Sequence, residues 1–228
     1  MNYFSNLFKL AITILLFCSL HLLNSDVSMT PHEAQQHQPD ERVTDWNIAL
    51  QYLIDGNQRF IENRPNCNVY SESDRTTFKD GQNPFAVVLT CSDSRVAPEV
   101  YFDQRLGDIF VVRNAGNVYH SVASGSIEYA VEHLKVPLVV VVGHSQCGAV
   151  TGAFTGAQFG GNLQNILNIV AGNIEGSENM EEAIQRNMAG VVENIKQNEI
   201  IIRQGTVVIG AFFDIASGAI NFCMDEEM

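Results

Sequence analysis

Between positions 90 and 96 the chain reads TCSDSRV, so a thiol (Cys91), a carboxylate (Asp93) and a guanidinium (Arg95) alternate directly after the apolar run FAVVL. A second polar segment, GHSQCG at 143–148, follows PLVVVV and adds His144 and Cys147. Neither the trio nor the pair serves the packing of a core strand. Thiolate and imidazole ligands suit Zn²⁺, and three protein ligands leave a fourth tetrahedral position open to water or substrate, whereas structural zinc sites close with four. Any one of these residues alone reads more simply as a buried thiol, half of a disulfide or a core histidine. Three of them at the ends of two apolar runs point instead to a metal site. Asp93 and Arg95 are two apart and can share a face, where a bidentate pair would keep the carboxylate ionised and turned toward a water in the open position. A purely structural ion pair is the alternative. The glycines of GHSQCGAVTGAFTG do not make a phosphate loop, because the Gly-Lys-Ser/Thr ending is missing.

Residues such as these need strands that deliver them to one place. FAVVLT (85–90), IFVVR (109–113) and PLVVVVG (137–143) are short β-branched runs bounded by Gly or Pro, with a helical stretch, GSIEYAVEHLK (125–135), intervening. The alternation predicts an α/β fold in a single domain, with a mainly parallel central β-sheet flanked by helices. In such sheets the carboxyl ends of the strands line the ligand crevice, so the two polar segments can face each other there. A helix is expected from Thr44 or Asp45, with Trp46, Ala49, Leu50, Leu53 and Phe60 on its apolar face. The amphipathic region 180–198 reads as one or two helices, and TVVIGAFF (206–213) and SGAINF (217–222) as further strands. The stretch after Gly148, rich in Gly and Asn, carries no clear period.

The chain has 228 residues and a formal net charge of −13, with 26 acidic against 13 basic residues. Without a basic stripe, a nucleic-acid partner is not expected, since that affinity rests on Lys and Arg neutralising phosphates. Lys9 precedes an apolar run over 10–20, which predicts a signal peptide or membrane anchor at 1–24. A polar linker at 25–43, holding His32 and His37, then leads to a catalytic domain at 44–228. The expected location is periplasmic or secreted, with a membrane-anchored form as the alternative. Cys67 and Cys223 are left free, buried or paired with each other.

Together CSDSR and GHSQCG, at this separation, resemble the β-class carbonic anhydrases. The similarity runs from about Gln82 through FVVRNAGN, GSIEYAVEHL and GHSQCG to VVIGAFFDIASGAI. The resemblance implies Zn²⁺ held by Cys91, His144 and Cys147, a catalytic dyad of Asp93 and Arg95, and reversible hydration of CO2 to bicarbonate and a proton. It implies a substrate pocket of the plant-like branch at Gln82, Phe110, Ala115, Tyr129 and Gly148, part of it contributed by a neighbouring subunit. Ala115 is smaller than the valine often found there. The resemblance also implies a homodimer or homotetramer, with the helix around Trp46 similar to an arm that embraces the partner. A second branch carries an allosteric bicarbonate site with a tryptophan where this chain has Val88 and a glycine where it has Thr90, although Arg113 is kept. The expectation is therefore an open, constitutively active site, with Asp93 bound to Arg95. Tyr119 and His120 are conceivable proton shuttles. Hydrolysis of carbon disulfide or carbonyl sulfide, or a non-catalytic zinc-binding module, are the other readings.

Overall fold

Asp45 begins the first described helix as its sequence type suggests, its carboxylate accepting a hydrogen bond from the backbone N–H of Asn47. The computed structural model describes residues 42–66 and 72–223. The expected leader, nearly all of the expected linker and Cys67 lie outside the described residues. In chain order the elements are α1 (Trp46–Ile61), α2 (Glu72–Thr77), β1 (Ala86–Cys91), α3 (Pro98–Tyr101), β2 (Ile109–Asn114), a 3-10 turn (Ala115–Asn117) and α4 (Ser121–Glu132). There follow β3 (Leu138–His144), α5 (Gly148–Phe154), α6 (Asn162–Asn173), α7 (Met180–Lys196), α8 (Glu199–Gln204), β4 (Val207–Phe213) and β5 (Ile220–Cys223).

The strands form one sheet in the order β2-β1-β3-β4-β5, parallel except for the antiparallel β4/β5 pair. Every residue of β1 and β3 is buried, as the unbroken apolar runs require of central strands covered on both faces. Alternate side chains feed two cores. Val88, Val140, Val142 and Ile209 pack on one face with Leu53, Tyr101 and Phe102, while Val87, Leu89, Val139 and Val141 pack on the other with Ile127, Val131, Met188 and Ile195.

α1 lies close against the chain leaving α3. A Cβ on Gly56 would stand 1.7 Å from the carbonyl oxygen of Phe102, so only glycine permits the approach. Next to it, the buried Asn57 donates to the carbonyls of Tyr101 and Gly218 and accepts from the N–H of Ile220, tying α1 to α3 and to the β4–β5 turn. The site-bearing end of the sheet therefore has firm support. The region 180–198 resolves into one helix, α7, followed by α8, which Asn198 caps by accepting from the N–H groups of Ile200 and Ile201.

Candidate metal centre

The parallel register carries Cys91 and His144 to the same edge of the sheet, because each is the last residue of its strand. After His144 the chain turns sharply. Gln146 takes a left-handed conformation at φ 56°, and Cys147 then precedes the first turn of α5. The turn returns Cys147 to the sheet edge. The imidazole of His144 and the sulfurs of Cys91 and Cys147 come within 4.8 Å of one another, all three residues buried.

The chemistry of this donor set fits a zinc ion. His144 Nδ1 lies 2.9 Å from the carbonyl oxygen of Ser145 and can only be its donor, which leaves the Nε2 lone pair free. Nε2 is itself buried with no hydrogen-bond partner, a costly arrangement unless the lone pair serves as a ligand. The two thiols shift each other's acidity in opposite directions. Cys91 is lowered to about 4, chiefly by a hydrogen bond from Cys147 and further by His144 and the N–H groups of Gly116 and Asp93, against the opposing effect of burial. Cys147 is pushed well above the usual thiol range by its bond to Cys91 and by burial. A divalent cation resolves that conflict, since it stabilises both thiolates.

The dyad stands beside the cluster. Arg95 Nε and its backbone N–H donate to Asp93 Oδ1 at 2.9 and 3.0 Å, and Arg95 Nη2 donates to Oδ2 at 2.7 Å. Both carboxylate oxygens are thus held, and the Arg95 guanidinium, aided by its backbone N–H and by His144, keeps Asp93 well below the usual carboxylate range in spite of partial burial. Arg95 Nη2 also reaches the carbonyl of Gln146 at 3.3 Å, linking the loop after β1 to the loop after β3. Arg113, not a member of the expected site, braces the same loop from β2. Its Nε donates to the carbonyl of Cys91 at 3.1 Å and its Nη2 to that of Asp93 at 2.7 Å. Such a role is invisible in a sequence, because backbone carbonyls leave no trace in residue type.

Within one chain the expected pocket divides in two. Ala115 opens the 3-10 turn that follows β2, and Gly148 follows Cys147, so both adjoin the metal cluster. Phe110 and Tyr129 do not. Their rings are paired with centroids 6.2 Å apart, and Phe110 packs on the second core opposite Val87 in register. Val87 lies four residues before Cys91, or about 13 Å along the strand. Gln82 is exposed in the segment leading into β1, at the opposite end of the sheet from the cluster.

Val88 and Thr90 are fully buried, and Thr90 Oγ1 donates to the carbonyl of Val142. Below them Tyr101 and Phe213 stack with centroids 4.6 Å apart. Tyr119 shares hydrogen bonds with Ser124 and Asn198, while the exposed His120 precedes α4 and bonds Ser121. Cys223 lies half-buried on the edge strand β5.

The family model described as carbonic anhydrase matches residues 86–220, which include every residue of the cluster and the dyad. Carbonic anhydrase 2 of Mycobacterium tuberculosis is 44% identical over 149 residues, covering 61% of this chain and 72% of that protein. The carbonic anhydrase of Mycolicibacterium smegmatis is 37% identical over 187 residues, covering 76% and 91%. Among solved structures, the β-carbonic anhydrase CafA of Aspergillus fumigatus superposes with a TM-score of 0.60 at 31% identity, over 65% of this chain and 79% of that one. One of two tetrameric β-carbonic anhydrases of Sordaria macrospora gives 0.56 at 31% identity, over 63% and 82%. With the family's match spanning most of the described sheet and the cysteine–histidine cluster assembled at its edge, the chain belongs to the β-class carbonic anhydrases, zinc enzymes that interconvert carbon dioxide and bicarbonate.

Proposed function

We propose that this chain hydrates CO2 with a constitutively open site, in which Cys91, His144 and Cys147 hold zinc and Asp93 is kept for catalysis by Arg95. The observation that carries the reading is the forked grip of Arg95 on both oxygens of Asp93. Cys91, His144 and Cys147 would hold the zinc, which would supply a water nucleophile near neutral pH by lowering its pKa to about 7. Asp93 Oδ1 and Oδ2 keep lone pairs beyond those used by Arg95 and accept a hydrogen bond from a substrate water, orienting it. The depressed carboxyl makes Asp93 an acceptor that orients rather than a base that stores the released proton. Arg95 and Arg113 together keep the loop from letting Asp93 swing toward the metal. Alanine at Cys91 should abolish both zinc retention and hydration, whereas alanine at Asp93 should keep the zinc and lose hydration. Full activity in the Asp93 variant would sink the reading.

The remaining pocket residues are proposed to act across a dimer, with the partner subunit's Gln82, Phe110 and Tyr129 meeting this chain's Ala115 and Gly148. The remoteness of the Phe110–Tyr129 pair from Cys91 within one chain, and the exposure of Tyr129 at 47%, support this arrangement. Mixing an inactive Cys91→Ala chain with an impaired Gln82→Ala chain should then restore one intact site per mixed dimer. Activity no better than the sum of the two variants would refute it.

Export by a cleaved leader over 1–24, ahead of a polar linker and a catalytic domain from 44, is likewise proposed, from the Lys9-led apolar run. Recovery of the protein with an intact first residue from the cytoplasm alone would contradict it. No helix among the described residues is long and apolar enough to cross a membrane.

A further inference from the structure

An amide sits where α7 has every reason to carry an aliphatic residue. Asn187 is 0% exposed, and its helix turns Ala183, Ile184, Met188 and Val191 into the core around it. Burying a primary amide among such neighbours costs free energy unless its polar atoms are bonded. Both are. Asn187 Nδ2 donates to the carbonyl of Gly116 at 2.9 Å, and Asn187 Oδ1 accepts from Asn173 Nδ2 on α6 at 3.0 Å. The N–H of the same Gly116 donates to Cys91 Sγ at 3.3 Å.

The two peptide units bonded here flank one Cα, that of a glycine at φ 72° followed by Asn117 at φ 47°. Two successive left-handed residues form a turn that ordinary backbone preference does not hold in place. Neighbouring side chains limit the position from one side, since a Cβ at Gly116 would lie 3.1 Å from Ala149 Cβ and 3.2 Å from Val170 Cγ2. Asn187 binds the carbonyl on the other side of that Cα. An N–H bond to a thiolate draws charge from the sulfur, and hydrogen bonds of this kind tune metal–sulfur centres.

We propose that Asn187, itself anchored by Asn173, is a positioning residue for the metal centre: it aims the Gly116 N–H at Cys91 Sγ and so sets how strongly that sulfur donates to the metal. This rests on the reading of Cys91 as a zinc ligand. The chain of contacts runs from α6 through α7 and the turn after β2 to the ligand, and it uses no residue of the dyad.

The test replaces Asn187 with leucine, of the same branched shape but bulkier and without polar atoms, in the full-length chain. Readouts are the zinc dissociation constant by chelator competition and the thiolate-to-metal charge-transfer band of the Co²⁺-substituted protein. Loss of the aimed N–H leaves a more electron-rich sulfur, so the band should move to lower energy, and zinc affinity should change by about 10-fold or more, as is usual when an outer partner of a ligand is removed. A merely structural amide would lower thermal stability and leave the band where it is, and that result overturns the inference. Should Asn187→Leu fail to fold, Asn173→Ala keeps the Asn187 donor but frees its other end. A smaller band shift in the same direction supports the inference, and an unchanged band overturns it. Wild-type protein that takes up no Co²⁺ with a thiolate band would instead refute the metal-site reading, an outcome distinct from a wild-type band that the variants fail to move.

Discussion

Arg95→Ala is the perturbation that bears most on how the dyad works. It removes two charge-assisted bonds to Asp93, at 2.9 and 2.7 Å, and the 3.3 Å bond that ties the loop to Gln146. A buried charge-assisted bond is worth about 1.5–3 kcal/mol, and an exposed ion pair about 0–1 kcal/mol. Here the guanidinium is 45% exposed and the carboxylate 17%. The guanidinium is open to solvent, so the pair lies nearer the exposed limit, and what the fork supplies is direction more than binding energy. Asp93 remains ionised at neutral pH in the variant, since an unpaired carboxyl titrates near about 4. What is lost is its orientation, and a released carboxylate at this position can compete for the metal's fourth position. Because a misdirected catalytic group can cost about 100-fold, kcat/KM should fall by about 10- to 100-fold. Lysine at the same position should recover only part of the loss, because a point charge cannot reproduce the fork. The assay is stopped-flow CO2 hydration from about pH 6 to 9 on protein of measured zinc content. An alanine variant within twofold of wild type across that range would refute the orienting role assigned to Arg95.

Other consequences follow from the same contacts. Arg113→Met removes both bonds to the carbonyls of Cys91 and Asp93 and should cost about tenfold in kcat/KM with zinc content unchanged; unaltered kinetics would count against the brace. Gly56→Ala places a Cβ 1.7 Å from the Phe102 carbonyl and should destabilise by about 3 kcal/mol, lowering Tm by about 6–12 °C in calorimetry. Because the folded Asp93 is depressed below an ordinary carboxylate, the stabilisation from its pairing is fully present above the unfolded value and is lost only as pH falls through the depressed one. An Asp93→Asn variant should accordingly match wild-type stability under strongly acid conditions and fall below it near neutrality. Equal denaturation midpoints at pH 7 would contradict that.

Much of the centre is legible in the sequence because its chemistry is carried by rare residue types at conspicuous places. Cys91 ends an apolar run, His144 ends another, and Cys147 is three residues on, so strand topology alone brings them together. The strands themselves are readable from unbroken β-branched runs, with boundaries differing by a residue or two at several ends; β1 begins at Ala86 and ends at Cys91. α6 escapes notice because its start follows Gly160 and Gly161, the latter at φ 66°, and its own sequence is rich in Asn. Arg113 and Asn187 escape for another reason. Both act on backbone carbonyls distant in sequence, Asn187 on one 71 residues away, so their roles exist only after the sheet has formed. That part of the pocket comes from a neighbouring subunit is implied by the family resemblance, but which residues stand apart from the cluster within one chain emerges only from the parallel register, which pairs Phe110 with Val87 and not with the strand end.

The most direct test of the account is the pH dependence of CO2 hydration by the wild-type chain, measured by stopped flow alongside its zinc content and zinc-edge X-ray absorption. An open site predicts one zinc per chain, two sulfurs and one nitrogen from the protein, and activity that declines smoothly through a single ionisation between about pH 6 and 9. Abrupt loss of activity below about pH 8, accompanied by a fourth protein ligand on the zinc, would contradict it.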